Sequence, residues 1–462
     1  MRQIFTLFSM LTLAVIACQS VTATSAPSAP VPEPVSDASA TPQASIPEGT
    51  VTPTSPAAGV IFVDTLEQEV YPFIENGKCS LGEAIFAANA AEPKDSCAAG
   101  AAEGSVIELM PGEYHFSQRD QTPPQVEWMV SVVTVGDAVP PIFTALTIKG
   151  NGAKLIREES AEPFRFFELI FGMLTLQNLT LQGGNVGDDW GGAIYSMNGS
   201  ITLEQVHFVD NQAENGGGIY FNLGALNITN SEFLDNHSTH NGAGIFIDSS
   251  RSTIESVRFE GNRSDGEGGA LYAETVNLVL TDDIFIGNRV TGDGLGSRGG
   301  ALNLNHVNLA ISRSQFYQNE APMYGGAIAI SNPILAGTDP QEGDPIEQVQ
   351  QSPYTADMFT SIPGFQSTLE AHPSGIFVGF EEDAQIHDSC FANNVTINPQ
   401  DPNWTSGLLG RATMADGNYW GSPSGPSGMG PGTGDSVGKT LTFAPFLTEL
   451  PGYCDPVLGQ QE

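Results

Sequence analysis

Between residues 194 and 319 apolar and polar positions alternate in short runs, as in "GSITLEQVHFV" (199–209), "GALNITNSEFL" (224–234) and "STIESVRFE" (252–260). Each run breaks at Gly, Asn or Ser, and alternation with period two predicts strands that bury one face. The runs are also copies of one another. Phe208, Phe233, Phe259, Phe285 and Phe316 are separated by 25, 26, 26 and 31 residues, and Asn211, Asn236, Asn262, Asn288 and Asn319 each follow three later. Ile194, Ile219, Ile245, Leu271 and Leu302 each stand 14 residues before their Phe. The step of 31 contains "VTGDGLGSR" (290–298) and leaves the 14-residue half untouched, so insertions fall in one turn.

A period near 25 holds three short strands and their turns, whereas helical repeats would need sustained 3.6-residue patterning. The pattern predicts an all-β chain: a right-handed, single-stranded parallel β-helix, or solenoid, with N- and C-terminal caps. Successive coils would lie about 4.8 Å apart, so equivalent side chains would stack. The Phe residues would fill the interior. The Asn amides would bond along their column in a tight turn and tolerate left-handed backbone there. The "GGA" and "GAG" triplets would supply positive φ or close backbone approach.

Outside the repeat the pattern changes. "MRQIFTLFSMLTLAVIACQS" carries Arg2 and then an apolar run from Ile4 to Ala17, too short for a spanning helix and read as a signal peptide over 1–17. Residues 18–58 are rich in Ser, Thr, Pro and Ala, without an aromatic residue, and read as a disordered tether. A cap with first strands is expected over 59–140, the coils over 141–332, an inserted loop over 333–374, and the last coils with a C-terminal cap over 375–462. In that last segment Ile376 precedes Phe391 by 15 and Asn394 follows it by three, so one more coil is recognisable.

Composition narrows the function classes. With 53 acidic and 16 basic residues the net charge is -37, which argues against a basic nucleic-acid surface. Only 15% of residues are charged and 52 are Gly, as suits a turn-rich β protein. Of five Cys, the four at Cys79, Cys97, Cys390 and Cys454 form an even set, which in an exported chain favours two disulfides. Three pairings are open. Proximity suggests Cys79 with Cys97 and Cys390 with Cys454, and a Cys-only metal site is disfavoured because no CxxC pair exists.

Several stretches resemble known families. "VIAC" (15–18) resembles the bacterial lipobox, which implies acylation of Cys18 and a membrane anchor; an ordinary signal cleaved nearby is the alternative. "GGAI", "GGAL" and Phe-x-x-Asn resemble the repeats of chlamydial-type polymorphic membrane proteins, a family of surface β-helix adhesins. "GKCSLGEAIFAANA" (77–90) resembles the CSLREA module that precedes β-helices in bacterial exported proteins, with Gly82 where that motif has Arg. Physically, Ser80 with Glu83 three later reads as a capping box opening a short amphipathic helix able to cover the end of the solenoid. "DGNYWGSPSGPSG" (416–428) resembles the terminal segment of many bacterial β-helix proteins and implies a final coil and cap.

Chemistry was sought on the residues themselves. Asp188, Asp189, Asp282 and Asp283 are the candidate carboxylates of a polysaccharide lyase or glycoside hydrolase, yet neighbours on a strand face opposite sides, so each pair offers at most one to a surface. They read better as solvated turn acids. His207, His237, His240 and His387 show no spacing that specifies nucleophilic catalysis. "GDGLGS" (292–297) has the Asp and Gly of a calcium turn without the nonapeptide spacing of calcium-binding β-rolls, so no cofactor is expected beyond an optional structural calcium. The expectation is a non-catalytic, lipid-anchored protein of the cell envelope, held at the membrane through Cys18, acting in adhesion or in polysaccharide or surface-protein binding. A polysaccharide lyase or glycoside hydrolase is the alternative.

Overall fold

A computed structural model describes residues 59–122, 136–292, 297–323, 325–331, 384–396, 408–409, 414–437 and 442–458. All described residues belong to one compact unit, 56–462. The signal, the acylation candidate Cys18, the tether and the inserted loop at 333–374 lie outside the described residues.

The repeat folds as a parallel β-helix. Each of the four coils from Ile219 to Ala321 contributes a strand of 11 residues, then one of three, then one of two, as in Ile219–Thr229, Glu232–Leu234 and His237–Ser238. The long strand is bent: Leu223 has φ +60°, and the next residue, Gly224, would place a Cβ 1.8 Å from the carbonyl oxygen of Gly199 on the coil below. Pairing is parallel and holds the sequence register, with Ile194, Ile219, Ile245, Leu271 and Leu302 in one column and Phe208, Phe233, Phe259, Phe285 and Phe316 in another. All ten are fully buried.

The Phe rings stack face over face at 4.5, 4.9, 4.7 and 4.8 Å, close to the strand spacing, so each ring covers the next and the column excludes water. The column continues past the recognisable repeats through Phe391 to the Trp420 of "NYWG", at 5.0 and 4.7 Å. The Gly-rich turns use positive φ where the phrase repeats: Gly216 and Gly242 have φ +64° and +62°, and a Cβ there would come within 2.3 Å of the carbonyl of Ile219 or Ile245.

At the Asn turn the expected left-handed residue is displaced by one. The positive φ belongs to Asp210, Asp235, Gly261, Gly287 and Gln318, each directly before its ladder Asn. The turn reverses there, and the Asn amide that follows bonds along the axis to the next coil.

Both ends are closed. At the N-terminal end the helix Leu81–Ala90 begins with the capping box, Glu83 N–H donating to Ser80 Oγ at 3.3 Å and Ser80 N–H to Glu83 Oε2 at 3.1 Å. The helix is not amphipathic in the usual sense: Leu81, Gly82, Glu83, Ala84, Ile85, Ala87 and Ala88 are all buried, because it is enclosed by the segment before it as well as by the first strands. Gly82 is part of that enclosure, since a Cβ would lie 2.7 Å from the carbonyl of Glu69, leaving no room for the Arg of the motif it resembles. At the far end residues 442–458 return along the outside of the coils. Cys454, with Leu450 and Leu458, covers outward-facing Ile286, Tyr317, Cys390 and Ala392 in a second, smaller apolar cluster.

Candidate functional site

Four sets of side chains could carry function: the axial ladders, the buried charges, the outward columns and the histidines. In the Asn ladder each amide serves both neighbours. The backbone N–H and Nδ2 of Asn236 donate to Asn262 Oδ1 at 3.1 and 2.9 Å, and Nδ2 also donates to the carbonyl of Phe208 at 3.0 Å. The same set recurs at Asn211, Asn262, Asn288, Asn319 and Asn394. It ends on buried Asp435, whose Oδ2 accepts from Asn394 Nδ2 at 2.6 Å. A carboxylate accepts without donating, so it can terminate a ladder that an amide must pass on. The disulfides join Cys79 to Cys97 and Cys390 to Cys454, one bridge beside each closure.

The candidate acids do not converge. Asp282 is bound by Arg313, with Nε and Nη2 donating at 2.7 and 2.5 Å. Asp283 is fully buried, which corrects its reading as a solvated turn acid: the left-handed turn at Asp282 carries it into the corner between the strands Leu271–Thr281 and Ile284–Ile286, where Oδ1 accepts from Val257 N–H at 2.9 Å. Asp189 is likewise no free turn acid, since Arg165 Nη2 donates to it at 2.8 Å. Asp188 remains on the turn. Each candidate His faces a carboxylate: His207 with Glu232 at 2.8 Å, His237 with Asp265 at 3.3 Å, His240 with Glu214 at 3.5 Å and His387 with Asp416 at 3.2 Å.

One buried charge cluster was not anticipated. Arg165 lies 2% exposed between Asp137, Glu168 and Asp189, with its guanidinium 5.0 Å from the centre of the Tyr195 ring. Burial, then the neighbouring Glu168, pushes the Asp137 carboxyl well above the usual range, and burial raises Glu168 against the pull of Arg165. Burial, with Glu168 next in weight, moves the Tyr195 hydroxyl up to about 12. Two raised carboxyls beside an arginine could act as a proton-sharing pair. Both, however, are at most 4% exposed, so a bound polymer meets Asp189 and not the pair. The sequence signal was a lone Arg inside "FRFFE" (164–168), which spacing arguments pass over.

Two outward columns stand out, one over four coils and one over six. Tyr195, Tyr220, Phe246 and Tyr272 occupy one register and stack at 5.4, 4.9 and 4.9 Å, with Trp190 lying on Tyr220 at 4.8 Å. An aromatic residue directly after four of the five column residues, Ile194, Ile219, Ile245 and Leu271, was the signal for it; after Leu302 comes Asn303. These rings spend their faces on one another. The second column, on the other half of the long strands, is Thr202, Asn227, Thr253, Val279, Ala310 and Gln385, all exposed and all uncharged.

Residues 147–316 match the family model described as "Right handed beta helix region", which covers the coils of the repeat and agrees with the parallel stacking. The fold is therefore a right-handed parallel β-helix. No curated protein and no solved structure matches the chain. Such a scaffold hosts unrelated functions, so activity must be argued from the side chains. For the optional calcium, no group of three His, Cys, Asp or Glu side chains among the described residues is placed to hold a metal ion, and 293–296 of the "GDGLGS" turn lie outside them.

Proposed function

We propose that the protein is a non-catalytic β-helix of the cell envelope, anchored through an acylated Cys18 and a tether over 18–58, that presents one flat face to an extended glycan or a neighbouring surface protein. The observation that carries this reading is the exposed column from Thr202 to Gln385, in which six successive coils offer a small or uncharged side chain at one register position. Such a face is held rigid by the ladders behind it, so a ligand would lose little free energy in ordering it. The fate of the candidate acids supports the same reading, since Asp189 and Asp282 are held by arginines and Asp283 lies inside the corner.

Replacing Asn227 and Thr253 together by Trp should leave folding intact, because both are exposed, and lower retention on the cognate polysaccharide or cell surface more than about tenfold, or roughly 1.4 kcal/mol. Unchanged binding would remove this face from consideration. The buried Arg165 cluster is the observation that favours a lyase or hydrolase instead. A panel of neutral and acidic polysaccharides, followed for new reducing ends and unsaturated uronate with and without Ca²⁺, separates the two readings. Cleavage that disappears in Asp189→Asn, the member of the cluster that a polymer meets, would establish the enzyme.

A further inference from the structure

A column of corner residues runs Val206, Ser231, Val257, Asp283, Ser314, Ser389 and Asn418 up the solenoid, each one coil above the last. Where it is polar, the side chain accepts a hydrogen bond from the backbone N–H of the coil before it: Val206 to Ser231 at 3.1 Å, Val257 to Asp283 at 2.9 Å, Asp283 to Ser314 at 3.2 Å, Ser314 to Ser389 at 3.2 Å and Ser389 to Asn418 at 2.8 Å. The serines do a second thing. Each donates its hydroxyl to the carbonyl two residues back in its own coil: Ser231 to Thr229 at 2.8 Å, Ser314 to Ser312 at 3.2 Å and Ser389 to His387 at 2.9 Å. Asn418 also donates from its amide, to the carbonyls of Ile386 and Ala415. The column therefore asks each polar member to be an acceptor and a donor at once.

Asp283 can meet that demand only as an acid. Its Oδ1 is the acceptor, and its Oδ2 is buried without a hydrogen-bond partner. The charges facing it offer no counter-ion. From the coil before comes Glu255; beside it in sequence is Asp282; Arg313 of the next coil is engaged by both oxygens of Asp282. A carboxylate in that setting would be an unpaired buried charge, whereas a carboxylic acid, like a serine hydroxyl, has one proton to give and keeps an oxygen that accepts.

We propose that Asp283 is a buried proton-binding site, a neutral carboxylic acid that takes a serine's place in the corner ladder, and that its ionisation loosens the solenoid between the coils of Val257 and Ser314. Burial pushes its carboxyl well above the ordinary value, and the backbone of Val257 and Thr281 pulling the other way does not offset this. A folded-state value above the unfolded one means that the stability linked to this proton is fully present below the unfolded value. It is lost as pH rises through the folded value.

The test compares equilibrium unfolding of the wild-type chain, Asp283→Asn and Asp283→Ser at pH values from about 4 to 8. Asn keeps acceptor and donor without a titrating proton, and Ser is the residue the column uses at three other levels. The expected result is that the wild-type unfolding constant rises relative to either variant by up to about tenfold per pH unit until the folded-state value is passed. Asp137, Glu168 and other shifted groups are common to all three proteins and cancel in the ratio. A second readout is infrared: at neutral pH the wild type should show a protonated carboxyl stretch that Asp283→Ser lacks. Parallel pH profiles, or no difference in that band, would overturn the proposal. If Asp283→Asn does not fold, the serine variant and the infrared band decide by themselves.

Discussion

Each coil turns two polar corners, and the corners obey different rules. At one, every described level from Asn211 to Asn394 is Asn. At the other, Val, Ser, Asp and Asn succeed one another. The difference follows from what each position must bond. The Asn corner needs an oxygen to accept two N–H groups from the coil before it, and two protons to give, one to the next amide and one to a Phe carbonyl. Only a primary amide short enough for the turn supplies that set. The mixed corner needs one acceptor for a backbone N–H and one local donor, which a hydroxyl, an amide or a protonated carboxyl can all provide. It even admits Val206 and Val257. A repeat is thus strict where a side chain is bonded on both sides along the axis and permissive where it is bonded on one.

Substitutions can break this contrast in order of size. Asn262→Ala should have the largest effect, because Asn236 N–H, Asn236 Nδ2 and the Phe233 carbonyl all lose a buried partner. Denaturant unfolding should show a loss of about 3–5 kcal/mol. Exchanging the chemistry of the corners sharpens the point: Asn262→Ser should lose roughly 2 kcal/mol or more, since a hydroxyl has one proton for two acceptors. Ser314→Asn, in a column that already holds Asn418, should cost less than about 1 kcal/mol. Equal costs for the two exchanges would refute the rule. Ser314→Ala should fall between, at about 1–2 kcal/mol, from Asp283 N–H and the Ser312 carbonyl. The smallest change belongs to the end of the strict ladder. There Asp435→Asn adds a donor where the ladder stops and should destabilise by no more than about 1 kcal/mol.

Much of the fold was legible because a phrase repeated in register leaves little choice. The residues at Phe208 and Asn211, returning every 25 or 26 positions through Asn288, must stack once the strands pair in parallel, and which strand side chains share a face follows from alternation alone. Ser80 and Glu83 were legible for the same reason, since a capping box is a bond between residues three apart. The candidate acids were harder. In sequence Asp283 reads as a solvated turn acid like Asp282, because spacing alone does not show which of the two turns inward; the backbone turns left-handed at Asp282, with φ +58°, and the next residue is buried.

What the sequence determined by itself was therefore the period, the handed stack of coils and the identity of its two main ladders, all consequences of local pattern repeated at constant spacing. Tertiary structure alone decided which residues join those ladders after the spacing breaks. Trp420 follows Phe391 by 29 residues and Asp435 follows Asn394 by 41, yet both fall into column. It also brought Asp137, Arg165, Glu168 and Asp189 from three successive coils into one buried group. The physical reason is the same in both cases: a solenoid fixes neighbours by stacking, and turns of arbitrary length separate stacked residues in sequence without moving them apart in space.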